Sequence, residues 1–270
     1  MAAKYFTIGS VATIVHHRGP TTLPGHPPAM TGGATVLCVH DVAGNGRTFD
    51  GVLDALAEGH RPIAFDLPAH GRSAGLDSLD GIPAMAAHTK AVADALGLGQ
   101  PVLLGDGMGA AIAIEAAATW PTWPAALVLC GGASATPAPD PATIDQVRQV
   151  TAGRARRQFD TTGYAPETPR EIYQRAFGEW MKTDPRATVG DLEALASWGG
   201  ADRLGAITVP VVVVVGEHEE PGGRAAAESL AAAVAAGRVV ELAGAGRRGV
   251  VERPAALAEL VTGLAAGVAV

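Results

Sequence analysis

Residues 102–120 constrain the fold more tightly than any other stretch. Val102-Leu103-Leu104 is a short apolar run, Gly105 and Gly109 bracket a sharp turn, and an alanine-rich segment of helical character runs from Met108 to Trp120. A strand that turns this abruptly into a helix is one unit of a βα alternation, with the helix packed back on the sheet. The unit recurs along the chain. Thr35–Val39, Pro62–Phe65, Pro101–Leu104, Ala125–Cys130, Val209–Val215 and Val239–Leu242 are apolar runs. Segments with helical spacing separate most of them: Arg47–Ala57, Ile82–Leu96, Arg224–Ala236 and Ala255–Ala265. Continuous apolar runs are expected where a strand is covered on both faces. Right-handed crossovers and a mainly parallel sheet with helices on both faces follow. Tyr5–Ile8 and Val11–His16 predict an antiparallel pair at the start, which brings the sheet to eight strands. Gly19–Gly33, rich in Gly, Pro and Thr, reads as an exposed connection.

The interval 134–200 breaks this rhythm. It is more polar, carries Tyr164, Tyr173, Phe177, Trp180 and Trp198, and contains helical pieces such as Arg170–Met181. An insertion at the carboxyl edge of an α/β sheet sits over the place where such sheets bind ligands. The expected organisation is therefore a core of residues 1–133 and 201–270 with a helical cap at 134–200. The plainer alternative is a pair of ordinary packing helices.

Composition removes several function classes. With 48% hydrophobic and 17% charged residues, 270 residues can bury a large core. The net charge of −7 and the lack of a basic tract leave no cationic face for nucleic acid or an anionic membrane. Cys38 and Cys130 stand alone without C-x-x-C or zinc spacing, so neither a disulfide nor a metal is expected. No leader-like start and no membrane-length apolar run stands out. The expectation is a cytoplasmic protein handling a small molecule without a cofactor, with a homodimer as one option.

Five motifs then resemble, in order, those of the α/β-hydrolase superfamily. Val39-His40-Asp41-Val42-Ala43-Gly44 is similar to its oxyanion-loop His-Gly motif, and Asp66-Leu67-Pro68-Ala69-His70-Gly71-Arg72-Ser73 to its D-x-P-G-H-G-x-S turn. Gly105-Asp106-Gly107-Met108-Gly109 falls on the nucleophile elbow, G-x-S-x-G. Val215-Gly216-Glu217-His218-Glu219 resembles the strand end that presents the triad acid. Gly244-Ala245-Gly246-Arg247, followed by Glu252-Arg253-Pro254, resembles the G-x-G-H loop and the helix start beyond it. The resemblance covers nearly the whole chain outside the cap and implies the α/β-hydrolase fold.

The catalytic positions depart from that pattern. The serine maps to Gly107, the histidine to Arg247 and the aspartate to Glu219. Glu serves as the third member in some such enzymes. Serine attack, however, needs a hydroxyl and a base beside it, and arginine, with a pKa above about 12, is no base near neutrality. Asp106 is out of register for the elbow aspartate of dehalogenases and epoxide hydrolases, because the small residue expected two places on would be Met108.

What the resemblance keeps is an oxyanion hole formed by the amides of Val42 and Met108. Asp41, Asp106 and His40 are the candidate acids and bases beside it. Asp41 has a plain alternative in turn formation, since Asp tolerates left-handed backbone. His40 has one in orienting the loop, and Asp106 in a local hydrogen-bond network. His70, and Cys130 as a buried thiol, read as structural, while His218 and Glu220 read as exposed. Glu219 and Arg247 are expected to meet in a charge-assisted bond, either as an inert plug or as a fixed positive charge offered to an anionic substrate. Three functions fit these residues. One is a non-serine lyase, isomerase or cyclase acting on a carbonyl- or carboxylate-bearing molecule. Another is an inactive ligand-binding or interaction protein, as in the triad-less N-myc downstream-regulated relatives. The third is a residual hydrolase whose water occupies the space left at Gly107.

Overall fold

The computed structural model describes residues 2–137 and 139–268 of the chain. Its sheet has eight strands: β1 (Ala2–Ile8), β2 (Val11–His17), β3 (Thr35–Val39), β4 (Arg61–Phe65), β5 (Val102–Asp106), β6 (Ala126–Cys130), β7 (Val211–Gly216) and β8 (Gly237–Leu242). Their order across the sheet is β1-β2-β4-β3-β5-β6-β7-β8. The pairs β1–β2 and β2–β4 are antiparallel and the remaining pairs parallel. The chain leaves β3 toward one side and returns to β5 on the other. The crevice outside the carboxyl ends of β3 and β5 is therefore the topological switch point, where open α/β sheets take ligands.

Alternation along the strands sorts their side chains into two cores. Leu37, Val39, Ile63, Leu103, Leu127, Leu129 and Val213 face one side, with α2 (Ile82–Leu96), α3 (Met108–Thr119) and α7 (Pro221–Ala232). Val36, Cys38, Ala64, Val102, Leu104, Val128 and Val212 face the other, with α1 (Asp50–Leu56), α8 (Gly249–Glu252) and α9 (Pro254–Val268). Burial on both faces is why these strands read as unbroken apolar runs.

Local differences from the expected bounds have simple causes. The first turn of the segment at 47 is a 3-10 turn, Gly46–Phe49, whose start is capped by the Asn45 side chain accepting from the Arg47 amide. The helix α7 begins three residues early because Pro221 is pre-set for its first turn. The strand β5 runs on to Asp106, which pairs with Cys130.

Between β6 and β7 lie α4 (Pro141–Thr151), α5 (Arg170–Trp180) and α6 (Pro185–Ala196). The first two bury little, with Ile144 the one buried residue of α4 and none in α5, whereas α6 is anchored. Its Asp191, fully buried, accepts from the amide of Ala43 (3.2 Å), His70 Nε2 (2.8 Å) and the Ser78 hydroxyl (2.6 Å). His70 Nδ1 lies 2.9 Å from the Pro68 carbonyl, so both ring nitrogens serve as donors. Burial opposes that charge, but Asp191 outweighs it and raises the His70 pKa. Trp198 Nε1 adds a bond to buried Glu115 of α3 (3.0 Å). The insertion is thus tied to the loop after β3 through buried polar bonds. No helix among the described residues is long and apolar enough to cross a membrane.

Candidate active site

The turn from β5 to α3 holds Gly107 at φ 54°, ψ −110°, backbone that a side chain adopts only under strain. The Gly107 amide donates to the Cys130 carbonyl (3.0 Å), and the Ala110 amide donates to the Gly107 carbonyl (3.0 Å). Strand and helix meet closely enough that a Cβ on Gly105 would lie 2.5 Å from the Ala110 nitrogen. The elbow geometry is therefore complete, with glycine at its apex.

On the neighbouring strand end, His40 is fully buried. Its Nε2 accepts from the Leu67 amide (3.0 Å), which leaves Nδ1–H to donate to the Asp41 carbonyl (2.8 Å). Burial, reinforced by nearby His70, lowers its pKa to about 4, so the ring is neutral. With both nitrogens on backbone, His40 orients the loop and has no free atom for acid–base work. The positive φ in this loop falls on Ala43 (55°) and not on Asp41, so tolerance of left-handed backbone is not what Asp41 supplies.

Its carboxylate does something else. Asp41 Oδ1 accepts from both expected oxyanion-hole amides, Val42 (2.7 Å) and Met108 (2.8 Å). Its Oδ2 takes a third bond from Arg248 Nη1 (3.2 Å). A Cβ placed on Gly107 would fall onto this carboxyl group, with Oδ2 2.6 Å away. Two expectations are corrected here. The hole is not open, because the protein's own carboxylate sits in it, and no water-sized vacancy remains at residue 107.

Asp106 lies beside this group and is buried. Its Oδ1 has no hydrogen-bond partner among the described residues, so it does not belong to the local network expected of it. Burial, with the Asp41 charge adding, pushes its pKa up to about 7, against the pull of Arg248 and Arg247. Asp106 therefore holds its proton through mildly acidic pH. The sign for stability follows. The native chain keeps this proton while the unfolded one, near the ordinary value of about 3.9, has lost it. The contribution is full below that ordinary value and is lost as pH rises through about 7. Asp106→Asn mimics the protonated form, so the Tm advantage of the variant over the native chain should be larger at pH 8 than at pH 4.

The expected Glu219–Arg247 bond is absent among the described residues. Burial raises the Glu219 pKa, and its carboxyl lies over the first turn of α7, 2.6 Å from where a Cβ on Gly223 would sit. Arg247 instead donates through Nε to the Gly131 carbonyl (3.1 Å). The arginine that reaches Asp41 is the next one, Arg248, whose Nη2 also meets Asp160 Oδ2 (3.4 Å). The Arg-Arg pair was the only hint of it in the sequence. Cys130 is buried, and burial pushes its thiol pKa well up, as for an inert thiol. His218 and Glu220 are exposed.

The elbow, the loop after β3 and the two arginines face one cavity of about 1330 Å³ between the sheet's carboxyl edge and the insertion. Asp41, Asp106, Met108, Arg247 and Arg248 line its floor, and Phe159, Tyr164, Trp180 and Leu192 are among its other walls. Chemically it offers a carboxylate held by three donors, a second carboxyl group that keeps its proton through mildly acidic pH, and two guanidinium groups.

The sequence pattern of the alpha/beta hydrolase family matches residues 36–260. Over 187 residues, 64% of each chain, the protein is 29% identical to 2-hydroxy-6-oxononadienedioate/2-hydroxy-6-oxononatrienedioate hydrolase of a Pseudomonas species. It is also 29% identical over 227 residues to part of polyketide synthase ThaQ of Burkholderia thailandensis, covering 79% of this chain and 11% of that one. The chain thus spans just under two thirds of the first relative and about a tenth of the second. Among solved structures, a thermophilic esterase from Thermogutta terrifontis superposes with a TM-score of 0.80 at 20% identity, covering 99% of each chain. The enol-lactonase of Burkholderia xenovorans LB400 gives 0.77 at 18% identity, covering 96% of this chain and 98% of that one. At such identities these structures speak for the fold alone.

Proposed function

We propose, from the premise that this chain belongs to the alpha/beta hydrolase family, that it is a cofactor-independent proton-transfer enzyme acting on a carbonyl-bearing small molecule. Its triad is degenerate at Gly107, Arg247 and Glu219, and residues 134–200 serve as the cap. One observation carries this reading: the Asp41 carboxylate occupies the place of the absent nucleophile side chain, held there by both oxyanion-hole amides. Asp41 is the base and Asp106 the acid. A carboxyl group whose burial raises its pKa, set beside a second one, is how one site runs both roles.

The step balances simply. Asp41 takes a proton from the carbon next to a carbonyl, the C–H electron pair becomes an enolate, and Asp106 gives its proton to the carbonyl oxygen. As Asp106 takes the enol proton back and the carbonyl re-forms, proton return from Asp41 to another carbon completes an isomerisation, loss of a β-substituent that takes the Asp41 proton an elimination, and attack on an internal electrophile that takes that proton a cyclisation. The dioate relative, named for an oxo-substituted substrate, is in keeping with carbonyl chemistry.

The test is deuterium exchange into carbonyl compounds in D₂O, followed by NMR, beside fluorophosphonate labelling and a p-nitrophenyl ester. Exchange faster than buffer, no labelling and no ester burst are expected. Labelling at one equivalent would overturn the reading. The filled hole also favours a second one, a catalytically silent binding protein, for which ligands would raise Tm without any exchange.

A further inference from the structure

Arg248 and Arg247 form one edge of the cavity, and several of their donors are unspent. The Nε of Arg248 is buried with no partner among the described residues. Its Nη1 holds Asp41 Oδ2 at 3.2 Å, while its Nη2 makes only the long contact to Asp160 at 3.4 Å. The other oxygen of Asp160 is engaged by the amide (2.8 Å) and hydroxyl (2.7 Å) of Thr162. Arg247 uses Nε on Gly131, and its two terminal nitrogens have no acceptor among the described residues. The backbone that carries them is pinned. The Arg248 amide donates to the Gly163 carbonyl (3.1 Å). Arg247 lies against Gly132 and Gly163, where an added Cβ would come within 3.0 and 3.2 Å of it. A buried guanidinium nitrogen without an acceptor is costly unless something supplies one.

We infer that Arg248, with Arg247 beside it, is the receptor for a carboxylate of the substrate, which makes the substrate a 3-oxo acid or a malonate half-ester. This rests on the proton-transfer reading above. A planar anion suits the guanidinium fork. The same guanidinium already holds Asp41 Oδ2, so a carboxylate on its free donors sets its neighbouring carbon against the base. A carboxylate alone acidifies that carbon weakly, and a second carbonyl on its far side is needed for the proton to leave. Asp41 then takes one methylene proton, the electron pair moves into the second carbonyl, and Asp106 protonates the oxygen formed.

The probe is monomethyl malonate, with dimethyl malonate as its neutral counterpart and inorganic phosphate as a second anion. Binding to the full chain is read by calorimetry and by the Arg248 Nε–H resonance, assigned with Arg248→Lys. The monoanion should bind and shift that resonance, and the diester should bind at least about tenfold more weakly. Arg248→Gln should lose about tenfold or more of the monoanion affinity. Equal binding of diester and monoanion, or an unmoved Nε–H on saturation of the native chain, overturns the inference even if Arg248→Gln fails to fold. Phosphate binding as tightly as the half-ester overturns the carboxylate assignment. Binding through Arg248 with no deuterium entering the methylene leaves the anchor standing and sinks the acid–base reading. Exchange that ignores Arg248→Gln does the reverse.

Discussion

Asp41→Asn should lower enzyme-driven exchange next to a carbonyl by about 10²–10⁴-fold, the usual worth of a positioned base. Asparagine keeps the size of the side chain, and its oxygen can still meet the amides of Val42 and Met108, which now hold the carboxylate at 2.7 and 2.8 Å. What it loses is the ability to accept a proton, so the fall belongs in the rate at saturation more than in ligand affinity. Asp106→Asn should act differently. The native rate should fall as pH rises through about 7, where Asp106 gives up its proton, and the variant should lose that limb of the profile together with the acid's share of the rate. A common loss in both variants with an unchanged profile would point to simple damage to the fold, which Tm measures separately.

Much of the architecture was legible because it rests on short-range periodicity. Apolar runs such as Val36–Val39 and Val102–Leu104 are buried on both faces, and that pattern is visible without any tertiary contact. The bracket of Gly105 and Gly109 likewise announces a turn whose closeness the packing demands. The site was legible only as positions. The side chain of Asp41 is placed by an amide 67 residues on, at Met108, and by an arginine 207 residues on, which no local pattern encodes. Which of two successive arginines enters the cavity is decided by how their loop is pinned. Glu252 accepts from the amides of Gly246 (2.9 Å) and Ala165 (2.7 Å), tying the loop to the insertion. The buried pair of His70 and Asp191 lies 121 residues apart in the chain, and nothing near either residue names the other.

Rebuilding the nucleophile should fail in an informative way. By motif alone, Gly107→Ser with Arg247→His supplies the serine and the histidine, and the elbow backbone already has the required geometry. Yet a Cβ at residue 107 would fall onto the Asp41 carboxyl group, which also fills the hole that a tetrahedral intermediate needs. Loss of one oxyanion donor costs about 10²–10³-fold in known cases, and here both are taken by an internal anion. The double variant is therefore expected to be inert toward esters. Adding Asp41→Gly, which restores the small residue of the His-Gly motif, frees both amides and the space for the serine hydroxyl in one change. Activity should appear only in the triple variant, even though its third substitution removes a side chain and supplies no catalytic group.

The most direct measurement is the stoichiometry of fluorophosphonate labelling, read by intact mass on the native chain, the double variant and the triple variant under one set of conditions. Labelling at residue 107 in the triple variant alone is the predicted result. Labelling of the double variant as fast as the triple would mean that Asp41 neither fills the nucleophile's place nor blocks the hole, and would contradict the account at its centre.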